Sequence, residues 1–393
     1  MSEAACTALI SKNTLRDQTV WPAPPTAITE FHRRMPAYSP TLLLDAPDLA
    51  AKLGVGRVLI KAETRRMGLP SFKILGASWA TYQAICAHIG EEPEPWNNIN
   101  ELAANLAHLR PFTLATATDG NHGRAVAFMA RLLGFEARIF VPKGMASARI
   151  RAMEAEGAVV SVVDGDYDDA VARSGQEATD NCLVVSDTSW DGYTTIPAQV
   201  VEGYATIFGE VDDAIDASGL PHPDLVVVPV GVGAFMAAAV THYRSGERRP
   251  IIVAVEPRDA NCVQASSMAG EITHVPGPHR SIMVGLNCGL PSMIAWPRLA
   301  SGVDWFVSVD DEAARQAMRD LADAAVASGE TGAAALAGLE ALLMDPQGDD
   351  ALPDRMNSTI LIMVTEGATD PGAYERIVGR AHETVGRVLT AIN

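Results

Sequence analysis

Leu69-Pro70-Ser71-Phe72-Lys73-Ile74-Leu75-Gly76-Ala77 is the stretch around which the rest of the chain can be arranged. Pro70 holds Ser71 and the residues before it out of a helix. From Lys73 onward Ile74, Leu75, Trp79, Tyr82, Ile85 and Cys86 recur at threes and fours, which predicts a helix. A lone lysine therefore stands where a loop becomes a helix. Phe72 and Ile74 flank it, and the nearest acids in sequence are Glu63 and Glu91. An amine in such a setting is expected to be desolvated, to lose its proton readily and to attack a carbonyl, as Schiff-base lysines do. Taken alone, the same lysine also reads as one that snorkels from a helix start to water.

Outward from Lys73 the chain alternates. Val58–Glu63 reads as a strand feeding the lysine loop, and Asp48–Gly54 as a short helix closed by glycine. Strands are expected at 112–117, 137–141, 158–163, 182–186, 225–230, 251–255, 305–309 and 359–364. Helices are expected at 121–133, 147–156, 166–179, 234–244, 312–328 and 332–343, with one long helix over 197–217. Short apolar β-branched runs alternating with helices predict parallel sheets covered on both faces. The strands fall into two groups, so the fold class is α/β, with two open twisted sheet domains covered by helices. The expected division puts 1–80 plus 195–393 in a large domain and 81–194 in a small one.

Composition narrows the function. The 393 residues are 48% hydrophobic and 20% charged, a globular balance with length enough for two domains. Forty-eight acids against 30 bases give a formal charge of −18, which argues against nucleic acid and against an anionic membrane surface. Met1–Trp21 has no basic region followed by an apolar core, so no signal peptide is expected, and no apolar run is long enough to span a bilayer. The five cysteines (Cys6, Cys86, Cys182, Cys262, Cys288) form no Cys-x-x-Cys, and the histidines show no ligand spacing. A reducing cytoplasm without structural zinc is expected, with Cys262 and Cys288 as free thiols although both flank the expected substrate side.

In open α/β sheets ligands bind beyond the carboxyl ends of the strands. Four such ends carry unusual residues. Thr118-Asp-Gly-Asn-His-Gly-Arg124 combines a carboxylate, Asp119, with two glycines and with Asn121, which can cap the next helix or donate a hydrogen bond. Ser186-Asp-Thr-Ser-Trp-Asp-Gly-Tyr193 brings a second carboxylate, Asp187, which reads equally as a helix cap. Gly231-Val232-Gly233-Ala234 lies between a strand and a helix and exposes backbone N–H groups as a phosphate cradle. Glu256 ends the following strand, where a dinucleotide fold places its ribose-binding acid, but Met236 occupies the third glycine position of that fingerprint. Finally, Thr365 and its neighbours can serve a ring nitrogen or cap the helix after Pro371. An imine-forming lysine, an asparagine beside Gly-rich backbone, a phosphate cradle and a late hydroxyl match the aldehyde, phenolic oxygen, phosphate and pyridine nitrogen of pyridoxal 5'-phosphate.

Ser71-Phe-Lys73-Ile-Leu-Gly-Ala, Thr118 to Arg124, Asp187-Thr-x-Trp-x-Gly-Tyr193, Gly231 to Ala234, Glu256-Pro257 and Met283-Val-Gly-Leu-Asn-Cys-Gly289 together resemble the diaminopropionate ammonia-lyases. These are fold type II pyridoxal phosphate enzymes, with threonine dehydratase and the tryptophan synthase β chain as cousins. The resemblance runs from about Trp21 to the C-terminus in motif order. Asp119 directly before Gly120 is its most selective mark. It implies the two-domain type II architecture, a homodimer, and a small amino-acid substrate. Lys73 would hold the cofactor through an imine, and Asn121 would bond its phenolic oxygen. The backbone of Gly231, Val232, Gly233 and Ala234 would hold the phosphate, and Thr365 would face the pyridine nitrogen. Asp119 would be the base for the D isomer, with Lys73 or Asp187 serving the L isomer. The competing readings are a serine, threonine or 3-hydroxyaspartate dehydratase on the same scaffold, a nicotinamide-dependent oxidoreductase built on Gly231, Gly233 and Glu256, and a non-catalytic pyridoxal phosphate binder.

Overall fold

The structure, a computed structural model, describes residues 8–385 and 390–392. Cys6 and the first seven residues of the segment read as lacking a signal peptide lie outside the described residues. Twelve strands are described: β1 (Leu9–Lys12), β2 (Leu43–Asp45), β3 (Arg57–Ala62), β4 (Thr113–Ala117), β5 (Glu136–Pro142), β6 (Val159–Val163), β7 (Cys182–Val184), β8 (Leu225–Pro229), β9 (Ile251–Pro257), β10 (Trp305–Val309), β11 (Thr359–Val364) and β12 (Thr390–Ala391). They form two sheets, one in each of two compact units. None of the described helices is long and apolar enough to cross a membrane.

One unit comprises Met1–Ala23, Pro40–Arg65 and Ile207–Asn393. Its eight strands run in the order β1-β10-β9-β8-β11-β3-β2-β12. The five from β10 to β3 are parallel, and β1, β2 and β12 are short antiparallel additions at the edges. β8 and β11 are buried along their whole length, which is why they read as continuous apolar runs. The helix Glu330–Met344 packs so closely that a Cβ on Gly338 would stand 2.2 Å from Val255 Cγ2 in β9. The core joins Val227, Val253, Val255, Leu336, Leu339 and Ile362.

The other unit comprises Pro24–Ser39 and Arg66–Thr206. Its four strands are all parallel, in the order β6-β5-β4-β7. The helix Lys73–Ile89 packs between Thr195–Gly203 and Asn121–Leu133. A cluster of Phe31, Trp79, Tyr82 and Trp96 fills this unit away from the sheet, with ring centroids 5.1–6.1 Å apart. Lys73–Ile89 and Thr195–Gly203 thus pack with the four-stranded sheet, whereas the expected division grouped residues up to 80 and from 195 onward with the larger one.

Two local expectations change. The single helix expected over 197–217 is two, Thr195–Gly203 and Ala205–Ser218, interrupted at Tyr204. Asn121 does not cap the helix it opens: Gly120, with φ +148°, occupies the cap position, and Asn121 is the first helical residue.

Candidate active site

Lys73 is the first residue of its helix, after Phe72 in the cap position. Its Nζ donates to Asp187 Oδ2 at 2.7 Å, across 114 residues of sequence, and lies 5.6 Å from the Phe72 ring centre. The lysine side chain is 23% exposed and the aspartate's 9%. Burial alone would pull the ammonium's pKa down. The Asp187 carboxylate outweighs it, with Tyr204 and Asp119 adding to the effect, and the Lys73 pKa stands above its ordinary value. The expectation that desolvation would strip this amine of its proton is therefore corrected: a carboxylate far away in sequence holds the charge in place. Asp187 answers in kind. Burial pushes its carboxyl up, but Lys73 and then His122 hold it well below the usual carboxylate range. The alternative reading of Asp187 as a helix cap is also removed, because the next helix begins at Thr195 with Thr194 before it.

The loop from Ser186 to Tyr193 explains how Asp187 is aimed. The Tyr193 hydroxyl donates to Val184 O at 2.7 Å and accepts from the Ser186 N–H at 3.1 Å. Trp190 stacks on Tyr193, centroids 4.1 Å apart, and the two backbones pair across the turn. The loop is thereby tied to the end of β7, and Asp187 projects from a fixed base. Its second oxygen receives the Tyr167 hydroxyl at 3.4 Å, and His122 Nδ1 stands 3.9 Å from Oδ2. His122 is buried, and its Nε2 bonds the Val185 carbonyl at 2.8 Å. That bond makes Nε2 the protonated nitrogen and leaves Nδ1 a buried acceptor with no hydrogen-bond partner among the described residues. Burial, the largest influence, keeps the ring's pKa below its ordinary value.

Asp119, Gly120 and Asn121 follow β4 directly. Thr118 Oγ1 accepts from the N–H groups of Gly120 (2.9 Å) and Gly123 (3.0 Å), which folds the loop over the strand end. A Cβ on Gly123 would stand 2.3 Å from Thr118 Cγ2, so glycine is needed there for close approach. The Asp119 carbonyl receives Arg149 Nη1 at 3.0 Å. Lys73, Asp119, Asn121, His122, Tyr167 and Asp187 thus belong to one unit. Tyr167 and His122 were not singled out by sequence reasoning, and a tyrosine at the start of an ordinary surface helix carries no signal that could have found it.

The glycine cradle belongs to the other unit. Gly231, Val232 and Gly233 leave the carboxyl end of β8, and Ala234 opens the helix Ala234–Tyr243. Gly233 has φ +98°, and a Cβ on it would stand 2.8 Å from Leu299 Cδ2. A Cβ on Gly231 would meet Gly285 O at 3.1 Å and Cys288 Sγ at 3.2 Å, within the Met283–Gly289 stretch. The Val232 carbonyl is fixed by the Ser292 N–H at 2.8 Å. Thr365 follows β11, the parallel neighbour of β8, so cradle and hydroxyl leave adjacent strand ends. Thr365 is buried, and its Oγ1 has no hydrogen-bond partner among the described residues. Tight backbone donors at a helix start and an orphaned buried hydroxyl one strand away fit a phosphorylated aromatic nitrogen ring.

Glu256 is committed elsewhere. It is fully buried, and its two oxygens accept from the N–H groups of Val263 and Gln264, each at 2.8 Å. It therefore holds the start of the helix Cys262–Ala269, and burial pushes its carboxyl up to about 8. The nicotinamide reading loses its ribose-binding acid. Among the described residues Cys86, Cys182, Cys262 and Cys288 form no disulfide. Among the described residues no group of three or more His, Cys, Asp or Glu side chains is placed to hold a metal ion.

Residues 34–366 match the family model described as "Pyridoxal-phosphate dependent enzyme". Diaminopropionate ammonia-lyase of Escherichia coli K12 is 36% identical over 370 residues, covering 91% of each chain. The crystal structure of the Escherichia coli enzyme in complex with an aminoacrylate-PLP azomethine reaction intermediate matches with a TM-score of 0.86 at 32% identity, over 97% of this chain and 99% of that one. The same enzyme in complex with D-serine matches with a TM-score of 0.84, over the same shares.

Proposed function

The chain belongs to the pyridoxal-phosphate dependent enzymes and, within them, to the diaminopropionate ammonia-lyase family, and from that premise we infer that it converts 2,3-diaminopropionate and water to pyruvate and two ammonia. The observation that carries the substrate reading is the pairing of the Lys73 amine with Asp187 at 2.7 Å, with Asp119 also acting on its charge. Two carboxylates around one amine suit a substrate that brings a second ammonium.

Lys73 would form the imine with the cofactor, Asn121 would bond its phenolic oxygen, and the N–H groups of Gly231 to Ala234 would take its phosphate. Thr365 Oγ1, buried and without a hydrogen-bond partner among the described residues, would face the pyridine nitrogen. The cofactor, when bound, supplies an electron sink for the charge left at Cα. The chain's own residues do the rest. Asp119 takes the Cα proton of the D isomer at its carboxylate. Lys73 Nζ, or Asp187, takes it from the L isomer. Asp187 holds an ammonium in place, either that of Lys73 or the β-ammonium of the substrate. The Cβ–N bond then breaks with the electron pair leaving on nitrogen, and hydrolysis releases the second ammonia. Each general-base contribution is about 10²–10⁴-fold in rate. A homodimer working in the cytoplasm on a small amino acid completes the reading.

The purified protein should show a visible absorbance band and produce pyruvate from D- and L-diaminopropionate much faster than from serine. Lys73→Ala should lose the band, and Asp119→Asn should lose D-isomer turnover far more than L-isomer turnover. Faster turnover of serine would move the enzyme to the dehydratases, and an unchanged band in Lys73→Ala would remove the lysine assignment.

A further inference from the structure

Tyr204 is left without a task by the roles assigned above. It is completely buried, at the interruption between Thr195–Gly203 and Ala205–Ser218. Its ring stands edge-on to Phe72, the residue before Lys73, with centroids 4.7 Å apart. A Cβ on Gly76 would lie 2.6 Å from Tyr204 Cε1 and 2.7 Å from Cζ, the carbon that bears the hydroxyl. Gly76 follows Lys73 by three residues, hence on the same helix face. On the far side, a Cβ on Gly203 would stand 2.6 Å from Leu75 O and 2.8 Å from the Gly76 Cα, so the two helices touch through glycines just before the tyrosine. Gly76 clears room for the phenol end of this ring over the first turn of the lysine helix, and Gly203 lets the two helix backbones meet beside it. That places the phenol close enough to the Lys73 side chain for each to influence the other's proton affinity. Burial pushes the phenol's own pKa up, so it keeps its proton at neutral pH.

The chemistry of the two neighbours differs. Asp187 is an acceptor only: it holds the ammonium by charge and hydrogen bond but has no donor for the lone pair of the uncharged amine. A phenol accepts from an ammonium and donates to an uncharged amine. The uncharged amine is the form that attacks an aldehyde and the form that takes a proton from carbon. We propose that Tyr204 is a positioning residue for Lys73: its hydroxyl holds Nζ on target in the uncharged state by donating to the nitrogen, which Asp187 cannot do. The proposal rests on the reading of Lys73 as the cofactor lysine, and the test separates the two.

Cofactor-free protein is mixed with pyridoxal 5'-phosphate, and the growth of the visible band is followed across pH for wild type, Tyr204→Phe and Lys73→Ala. Phenylalanine keeps the ring against Phe72 and Gly76, so Tyr204→Phe should melt close to wild type. Its capture rate should nevertheless fall about tenfold, the scale of one lost hydrogen bond. In the loaded enzyme kcat should fall with it, while KM for diaminopropionate stays within about twofold. Capture by Tyr204→Phe at the wild-type rate, with Lys73→Ala blank, overturns the tyrosine proposal alone. Capture by Lys73→Ala at the wild-type rate overturns the lysine reading and this proposal together. If Tyr204→Phe melts early, a fluorotyrosine at 204 keeps the ring and lowers the phenol's pKa. A capture-rate pH profile unmoved by that replacement also overturns the proposal.

Discussion

Lys73 and Asp187 form a charged pair whose two pKa values move apart, the lysine's up and the aspartate's down. The pH dependence follows from the signs. Asp187, depressed when folded, contributes stability that is present above about pH 4 and lost as the pH falls below it. Lys73, raised when folded, contributes stability present below about pH 10 and lost as the pH rises past it. Asp187→Asn leaves a largely buried ammonium without its anion, a change that costs about 3–5 kcal/mol when the pair is fully buried and less here, where the lysine side chain is 23% exposed. Cofactor-free Asp187→Asn should therefore melt several degrees below wild type at pH 7, and the gap should narrow steadily below pH 4. Calorimetry across pH checks this; a gap independent of pH would remove the ion pair as its source. The wild-type lysine keeps a proton that it must shed before reacting with an aldehyde, and Asp187 is the group that sets how hard that is.

The element that bears most on cofactor binding is the turn from β8 into the helix Ala234–Tyr243. Gly233 has φ +98° and abuts Leu299, so Gly233→Ala carries both backbone strain and a clash. A strained residue of this kind costs about 1–3 kcal/mol. The variant should melt lower and release pyridoxal phosphate at least about tenfold more readily in dialysis, and full retention would argue against the cradle. This turn was legible in the sequence because glycines between an apolar run and a helix have few other uses. Most of the nine expected strands were legible for a related reason: buried parallel strands such as β8 and β11 are apolar throughout, whereas β6 reads as a valine run although much of it is exposed. β1, β2 and β12 were not, since two to four residues at a sheet edge have no period to read. Tertiary contact hid the rest. Nothing local in Ser186–Tyr193 announces that Tyr193 ties the loop to Val184, nor that Asp187 meets Lys73. The break at Tyr204 was invisible because Gly203-Tyr204 continues a helical pattern, and its cause is the lysine helix packed against it. Glu256 looked like a ribose ligand from its place at a strand end. Only the folded chain shows both its oxygens engaged by Val263 and Gln264.

At the scale of the whole molecule, light scattering should give twice the chain mass, as the family resemblance implies, and a monomer mass would withdraw the homodimer. The two sheets differ in how the sequence supplies them. The four-stranded sheet is drawn from one uninterrupted run, β4 to β7. The eight-stranded one takes β1, β2 and β3 from the start of the chain and β8 to β12 from its second half. Among the described residues β1 pairs only with β10, and the parallel partner of β3 is β11. During synthesis on the ribosome, the smaller sheet has all its strands once Val184 has emerged. In the other, β2 and β3 can pair with each other early, but β1 must wait for Trp305–Val309 and the second edge of β3 for Thr359–Val364. Nascent chains stalled midway should therefore expose an unpaired, apolar edge of β3, an aggregation hazard that closes when β11 arrives.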